Sequence, residues 1–410
     1  MKNRFLLILP QLIVTSTSAQ NFISGTVVDK ESKALIELAT VGIVGKVIGS
    51  NTNADGKFRL LISEPNKQDT IQFSMIGYET AKIIASDLVD KENKIQLTPM
   101  VYSLEEVIVR SKKIVPNDVI KNVINRRERN YDFNPFRLEA YYREIRFVNE
   151  KYDHLIEVAL NTYGKSVDNY YQEIELLNTR KIDHVNFTHD ENLLNSTLRL
   201  DYIANAEGFI NLSDFKKNNY KFDDIRMTDT ENVYIISSGS YPNRKYTLFI
   251  DEDTYAIVRL EMEDWYAERE KIYISPIDKN HQFRLRHFKV INIYNHYEGR
   301  YYPGYISVLW NYDKYDNTAK SVYECGDWLR EFKVNKVFIK NTAKPDPSKI
   351  MKKFGVKIDD QMTLYNADFW KSYNLIPLTS KMVVDLESKG ALETQFIENG
   401  NRAIKNKSNR

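Results

Sequence analysis

The chain has 410 residues, with 58 basic and 56 acidic side chains and a formal net charge of +2 at pH 7. A charge this close to zero creates no strong field that would recruit nucleic acid or an anionic membrane surface, so both are disfavoured as partners. Hydrophobic residues make up 42% of the chain and charged residues 28%, a balance that is ordinary for globular proteins, and the length predicts two or three domains.

The N-terminus has the pattern of an export signal over residues 1–19. Lys2 and Arg4 precede an apolar run from Phe5 to Val14, and small polar residues lead to Ala19. The apolar run of about ten residues is too short to cross a bilayer, which takes about twenty. The pattern therefore predicts cleavage after Ala19 and an exported protein that is periplasmic, associated with the outer membrane or secreted.

Residues 20–110 show short alternating apolar runs that are separated by turn residues. The clearest turn is Asn53-Ala-Asp55-Gly56, where aspartate favours a turn and glycine can adopt a positive φ. The runs predict a small antiparallel β-sandwich. Its predicted strands are Ile23–Val28, Thr40–Val44, Phe58–Ile62, Thr70–Met75, Lys94–Leu97 and Val107–Val109.

Several segments of this region carry a family resemblance. They are Ile23-Ser-Gly25-Thr-Val27-Val-Asp29, Ala39-Thr-Val41, Gly49 to Asn51, Asn53-Ala-Asp55-Gly56-Lys-Phe58, Phe73-Ser-Met-Ile76-Gly77-Tyr78 and Leu104-Glu-Glu-Val107-Ile-Val109. Together they resemble the carboxypeptidase regulatory-like domain, a transthyretin-like (prealbumin-like) sandwich. That domain follows the catalytic domain of metallocarboxypeptidases and precedes the plug of many TonB-dependent outer-membrane transporters. The chain departs from the family at Ile36-Glu37, where a proline-containing turn is usual.

The resemblance implies a seven-stranded-type β-sandwich and a setting in the bacterial cell envelope. It implies no peptidase activity, because the family's domain carries no catalytic residues.

Residues 111–132 predict a helical connector between two domains. Pro116 opens the helix, and Val119, Ile120, Val123 and Ile124 are spaced for one apolar face.

Residues 133–343 predict a large, curved antiparallel β-sheet. Phe136, Leu138, Ala140 and Tyr142 alternate with polar or aromatic residues, as in a half-buried strand. Further predicted strands are His154–Tyr163, Lys245–Ile250, Tyr255–Met262, Phe283–Tyr294, Tyr301–Tyr312 and Ser321–Phe338. The stretch 246–259 is loosely similar to the half-barrels of lipoprotein carriers.

Residues 344–410 predict a linker, a terminal helix and a frayed tail. Pro345 to Ser348 form the linker, and Tyr365–Trp370 form an aromatic docking segment. The helix covers Val383–Ile397, and fraying begins at Glu398.

One pair of residues has the spacing of carboxypeptidase zinc ligands, His154-Leu-Ile-Glu157. On a strand, residues three apart project to opposite faces, so His154 and Glu157 cannot share one ion without a bulge. The single cysteine, Cys325, excludes an internal disulfide and a metal site of several cysteines. We therefore predict no metal site and no cofactor.

Paired carboxylates are the other candidates for chemistry. They are Glu261 with Glu263, Asp223 with Asp224, Asp359 with Asp360, and Asp251 with Asp253. The first three pairs have the residue types of acid and base catalysis, and the last has a spacing similar to part of a calcium loop. Solvated faces and turns explain all four better, and no nucleophile elbow or phosphate-binding loop is present. We predict no catalytic residue and no enzymatic activity.

These observations predict a non-catalytic exported envelope protein that acts in binding or scaffolding through its β-sandwich. Its partner would be an envelope protein, which could add a strand to an exposed sheet edge, or an apolar or glycan ligand.

Two alternatives remain. The first is a periplasmic carrier that holds a lipid or another apolar ligand on the concave face of the curved sheet, and a packed face without a cavity would count against it. It is suggested by a set of aromatic residues, namely Tyr301, Tyr302, Tyr305, Trp310 and Tyr312. The second is an enzyme related to metallocarboxypeptidases, suggested only by the family name and by His154 with Glu157.

Overall fold

The computed structural model describes residues 21–89, 91–100, 114–184, 193–205, 219–227, 232–268, 273–340, 344–352 and 356–408. The predicted export signal and the predicted strand Val107–Val109 lie outside the described residues. The described chain is mainly β, which confirms the predicted fold class.

The N-terminal domain is a sandwich of seven strands in two sheets. Its strands are β1 (Asn21–Asp29), β2 (Thr40–Ile43), β3 (Gly49–Asn51), β4 (Lys57–Ile62), β5 (Thr70–Ser74), β6 (Ala81–Ile84) and β7 (Glu92–Leu97). One sheet has the order β4-β1-β7 and the other β3-β2-β5-β6. All pairs are antiparallel except β1 with β7. The seven-stranded sandwich is confirmed, and β3 and β6 are short strands that the alternation alone did not mark.

The turn predicted at Asn53 to Gly56 is present before β4. The Asn53 Oδ1 accepts the main-chain N–H groups of Asp55 and Lys57, both at 2.9 Å. Gly56 has a φ of 67°, and a Cβ there would lie 2.7 Å from the carbonyl oxygen of Val27. Glycine is required because both the backbone conformation and the available space exclude a side chain.

Two helices precede the large sheet, α1 (Pro116–Asn125) and α2 (Arg127–Asn130). The predicted apolar face of α1 is present, with Val119, Ile120 and Val123 buried. These side chains pack into the main core of the large sheet. The helix predicted as a bridge between domains is therefore part of the second domain's core.

The second domain is built on an eleven-stranded antiparallel sheet. The strands are β8 (Phe136–Val148), β9 (Lys151–Gly164), β10 (Glu173–Asp183), β11 (Tyr220–Met227), β12 (Asn232–Gly239), β13 (Lys245–Asp251), β14 (Ile257–Asp264), β15 (Tyr273–Pro276), β16 (His281–Tyr297), β17 (Arg300–Asp316) and β18 (Ser321–Phe338). Their order is β10-β9-β8-β18-β17-β16-β14-β13-β12-β11, and β15 pairs with β16. The predicted long strands and the β13–β14 hairpin are present.

Around β8 both faces of this sheet are covered, and we name the faces by what covers them. The helix face carries Leu138, Ala140 and Tyr142 and is packed by α1 and by α3 (Leu193–Leu198). The sandwich face carries Tyr141, which clusters with Leu38 of the sandwich domain and with C-terminal aromatic residues. The alternation in β8 predicted one buried face, whereas burial on both faces reflects this second layer.

The C-terminal region forms α4 (Ala367–Lys371), α5 (Ser380–Leu386) and α6 (Leu392–Ser408). The single helix predicted over Val383–Ile397 is thus two helices, which Gly390 separates with a φ of 122°. The tail predicted to fray from Glu398 continues as α6, which packs along β10. The aromatic docking segment is present, with Trp370 buried against the sandwich face. Among the described helices, none has the length and apolar character needed to traverse a membrane.

Candidate functional site

A cleft with a volume of about 620 Å³ lies between the two domains. One wall is the outer surface of the β3-β2-β5-β6 sheet, and the other is the sandwich face with the β16–β17 turn. The lining from the sandwich domain includes Leu38, Thr40, Gly42, Ile48, Gln72 and Met75, and that from the second domain includes Val258, Arg259, Ile293, Asn295, Tyr297 and Asn335. The lining also includes the charged residues Lys46 and Glu298, so the cleft combines aliphatic walls with polar and charged groups.

The residues 366–380, which we call the strap, hold the two domains against each other. The main-chain N–H of Leu61 in β4 donates to the Asn374 Oδ1 at 2.6 Å. The Asn335 Nδ2 in β18 donates to the main-chain oxygen of Asn374 at 2.9 Å. The Asn53 Nδ2 donates to the carbonyl oxygen of Pro377 at 3.0 Å. The strap thus bonds to both domains.

Strand β3 also contacts the large sheet directly. Ile48 forms an isolated antiparallel bridge with Lys336 of β18. The Lys333 Nζ donates to the main-chain oxygen of Gly49 at 3.5 Å and to the Ser50 Oγ at 3.4 Å. These contacts close one end of the cleft.

Two glycines leave part of the sandwich wall without side chains. Gly42 and Gly49 are directly paired across β2 and β3 and both line the cleft. A Cβ on Gly42 would meet only the Ile48 carbonyl oxygen at 3.4 Å and the Gly49 Cα at 3.9 Å. Because no turn or positive φ requires glycine at Gly42, its effect is to let another group approach the backbone closely.

Two buried polar groups of β18 lie at this end of the cleft, Asn335 in its lining and Lys333 behind it. The Asn335 side chain is 1% exposed, and its Oδ1 has no hydrogen-bond partner among the described residues. Lys333 is fully buried, and burial lowers its pKa from 10.5 to about 7 although the charge of Glu139 opposes the shift. Within the described part of the chain, no carboxylate lies within 4.0 Å of this amine.

His154 and Glu157 lie on opposite faces of β9, as the strand pattern predicted. On the helix face, His154 lies between Glu144 and Asp183, with ring nitrogens 3.7 Å and 3.5 Å from their carboxylate oxygens. On the sandwich face, Glu157 accepts a hydrogen bond from the Arg180 Nε at 2.5 Å. No group of three or more metal-ligating side chains occurs among the described residues. The arrangement of His154 and Glu157 therefore gives no support to the alternative of an enzyme related to metallocarboxypeptidases.

The paired carboxylates have structural partners. Glu261 and Glu263 pair with Arg259 and Lys289, each at 2.6 Å. The Asp251 Oδ1 accepts the N–H and the hydroxyl of Thr254, both at 2.6 Å, and so forms the turn of the β13–β14 hairpin.

The remaining pairs lie in exposed or local settings. Asp223 is exposed, and the Asp224 Oδ2 accepts from the Arg226 Nε at 2.7 Å. Asp359 and Asp360 lie in a short 3₁₀ turn. None of the four pairs lines the cleft.

Of the aromatic residues that suggested a carrier, Tyr301 lines the cleft, but the other residues in and next to the cleft were missed from the sequence. Lys333 alternates with apolar Phe332 and Val334, a pattern typical of a lysine that faces solvent. Only the docking of the sandwich domain buries it. Gly42 and Gly49 lie in the domain that resembles the regulatory-like family. No local sequence pattern distinguishes them as residues of a cleft.

Comparison with known families confirms the first domain. Residues 23–109 match the family described as the CarboxypepD_reg-like domain. No curated protein sequence matches the chain.

Solved structures give a distant likeness over about half of the chain. A DUF1329 family protein from Desulfovibrio piger is 10% identical with a TM-score of 0.28, covering 56% of this chain and 95% of its own. A putative outer membrane lipoprotein-sorting protein domain from Vibrio parahaemolyticus is 7% identical with a TM-score of 0.26, covering 56% and 95%. A LolA superfamily protein from Nitrosomonas europaea is 11% identical with a TM-score of 0.22, covering 56% and 96%. TM-scores this low establish neither a common fold nor a common ligand.

Proposed function

We propose that this protein is a non-catalytic binding protein of the bacterial cell envelope that holds an apolar or amphipathic ligand between its two domains. The observation that carries the proposal is the cleft of about 620 Å³, which has walls from both domains. Ligand sites of small molecules typically have about 300–1,000 Å³, mostly apolar walls and a few polar groups.

The envelope setting has two sources of support. Residues 1–19 have the pattern of an export signal. Residues 23–109 match the CarboxypepD_reg-like domain, and the resemblance to this family implies an envelope setting. The candidate acid, base and metal-ligating residues are occupied by ion pairs and turns, which favours binding over catalysis.

A partner strand is less well supported than a small ligand, because several sheet edges are already occupied. In the sandwich domain, Leu61 of β4 is bonded to the strap, and Ile48 next to β3 is bridged to Lys336. In the large sheet, the N–H of Met351 donates to the carbonyl oxygen of Ile174 at the edge strand β10. A partner strand could pair with these edges only after the segments bonded to them had moved away.

The proposal keeps the apolar ligand of the carrier hypothesis but moves its binding site. It placed the ligand on one face of the curved sheet, but the helix face is filled by Tyr131, Tyr142, Leu194 and Leu198, all completely buried. A ligand there would have to displace α3, whereas the cleft on the sandwich face already has volume. We therefore place the apolar ligand in the cleft.

The test is to express the chain from Gln20 in a bacterial periplasm and to combine native mass spectrometry with lipid extraction. Gly42→Phe should fill the cleft, since the backbone there tolerates a side chain, and should lose the bound molecule. Thr70→Phe is the matched control, because Thr70 lies on the same outer sheet face but outside the cleft lining. A wild-type protein without any ligand, or a ligand retained by Gly42→Phe, would contradict the proposal.

A further inference from the structure

We infer that the ligand of this cleft is an amphiphile with a negatively charged head group, which lies beside Ser50 and Lys333 while its apolar chain extends along the cleft. The inference rests on the proposed function and specifies its ligand class.

The apolar part of the cleft suits a chain. Ile48 and Met75 from the sandwich domain and Val258 and Ile293 from the large sheet line it, and all four are only partly buried. Partly buried aliphatic side chains on both walls leave apolar surface that an alkyl chain can remove from water. The bare backbone at Gly42 and Gly49 provides room between them.

An incompletely paired cation lies next to the polar end of the cleft, behind the lining residues Gly49 and Ser50. The Lys333 ammonium has three donor hydrogens, and its two acceptors are at 3.4 Å and 3.5 Å, which is long for a hydrogen bond. The carboxylate whose charge acts on it, Glu139, pairs instead with Lys336 at 3.7 Å. Buried cations need a counter-charge, so this end of the cleft favours an anion.

Other buried cations on the same sheet face show what Lys333 lacks. The Arg143 Nε donates to the Glu331 Oε2 at 2.7 Å, and the Arg180 Nε donates to Glu157 at 2.5 Å. Lys333 is as buried as Arg143 and more buried than Arg180, whose side chain is 13% exposed, and its neighbours in β3 are neutral. Of these three cations, Lys333 is the one that bonds to residues lining the cleft, Gly49 and Ser50.

Ser50 connects the lysine to the cleft. Its hydroxyl oxygen accepts from Lys333, so its own hydrogen is available to donate to another acceptor, and the residue lines the cleft. The unpartnered Asn335 Oδ1 can take a donor from the ligand or from water. An unpaired buried charge costs more than an unpaired amide oxygen, so the charge decides the ligand class.

The experiment measures binding of dodecanoate, dodecanol and dodecyltrimethylammonium to delipidated full-length protein at neutral pH by calorimetry. These probes share one alkyl chain and differ in head-group charge. Wild-type protein should bind dodecanoate at least about tenfold more tightly than dodecanol, and the cationic probe least of all. Lys333→Met should bind dodecanoate and dodecanol equally. Lys336→Met is the matched control, because Lys336 is half-exposed and paired with Glu139, and it should keep the preference.

The outcomes separate this inference from the proposed function. Equal binding of dodecanoate and dodecanol by wild-type protein would overturn the anionic head group but leave an apolar cleft. A preference for dodecanoate that survives in Lys333→Met would place the anion elsewhere and also overturn the inference. If none of the three probes binds wild-type protein, the proposed function itself fails. The head-group comparison needs no variant, so it holds even if Lys333→Met does not fold.

Discussion

The Asn374 Oδ1 accepts the main-chain N–H of Leu61 at 2.6 Å, and this contact joins the C-terminal strap to the edge strand of the sandwich domain. The main-chain oxygen of the same asparagine accepts from Asn335 in the large sheet. A single residue of the strap therefore bonds to both domains. Because the strap lies against the sandwich face beside the cleft, the geometry of the cleft depends on the strap.

Asn374→Ala should destabilise the docked arrangement. The substitution leaves the Leu61 N–H without its acceptor in a partly buried position, which typically costs about 1–3 kcal/mol. Denaturant unfolding would measure the loss, and the affinity for a cleft ligand should fall with it. Ser372→Ala is the control, since the Ser372 hydroxyl donates only within its own helix, to Asp368 and Phe369. Equal stabilities of the two variants would show that the Leu61 contact contributes nothing.

Arg143→Met should destabilise the protein more strongly. Arg143 is buried, pairs with Glu331, and also donates to the carbonyl oxygens of Ile376 and Pro377 at 3.2 Å and 3.3 Å. Removing one partner of a buried ion pair leaves the other charge uncompensated and costs about 3–5 kcal/mol.

The double variant Arg143→Met/Glu331→Leu separates the pair from the packing around it. We expect the double variant to recover much of the lost stability, because neither charge of the pair remains buried. Arg286→Met removes a largely exposed partner of Asp313 and should change stability by no more than about 1 kcal/mol. A loss for Arg143→Met as small as that for Arg286→Met, measured by urea unfolding, would refute the prediction.

Local features of the sequence predicted the elements well. The turn at Asn53 to Gly56 and the hairpin at Asp251 to Thr254 are each closed by bonds between residues at most four positions apart. The resembling domain could be recognised for the same reason, because its turns and strand alternation lie within short segments. Such signals depend only on neighbours along the chain.

The cleft could not be predicted from these signals, because its contacts join distant segments. Leu61 and Asn374 are 313 positions apart, and Ser50 and Lys333 are 283 apart. Alternation showed Lys333 on the polar side of a strand, but it could not show that a second domain would cover that side. The same limit applies to the strap, which appeared in the sequence only as an aromatic docking segment.

His154 should make stability depend on pH. Burial alone would lower the pKa of His154, but hydrogen bonds and charge from Asp183 and Glu144 outweigh it and raise the pKa above 6.5. A raised pKa in the folded state contributes stability that is fully present below the unfolded value and is lost as the pH rises through the folded value.

Wild-type protein should therefore exceed His154→Gln in unfolding free energy by more at about pH 5.5 than at about pH 8.5. His287→Gln is a useful contrast, because burial lowers the pKa of His287 below 6.5 and its pH dependence should have the opposite sign. Urea unfolding at the two pH values measures the stability of both variants relative to wild type. If the difference between wild type and His154→Gln is the same at both pH values, the pKa of His154 is not raised in the folded protein.

Lys333 should make the unfolding free energy rise with pH in the alkaline range, which is opposite to the effect of His154. Burial lowers its pKa in the folded state to about 7, whereas the value in the unfolded chain stays near 10.5. Between these values the unfolded chain holds a proton that the folded chain lacks, so the unfolding free energy rises with pH. On the neighbouring strands, the titratable residues Tyr305 and Tyr141 lie opposite Lys333. Glu139, whose charge acts on Lys333, pairs with Lys336.

Lys333→Met removes this titration and keeps the aliphatic part of the side chain. The variant should be more stable than wild type at about pH 7, where the buried amine still costs free energy, and its advantage should shrink as the pH rises toward 10. The unfolding free energy of Lys336→Met should change with pH in the same way as that of wild type over this range. If that of Lys333→Met also changes in the same way, Lys333 titrates normally in the folded protein, and the anionic ligand class would lose the uncompensated cation on which it depends.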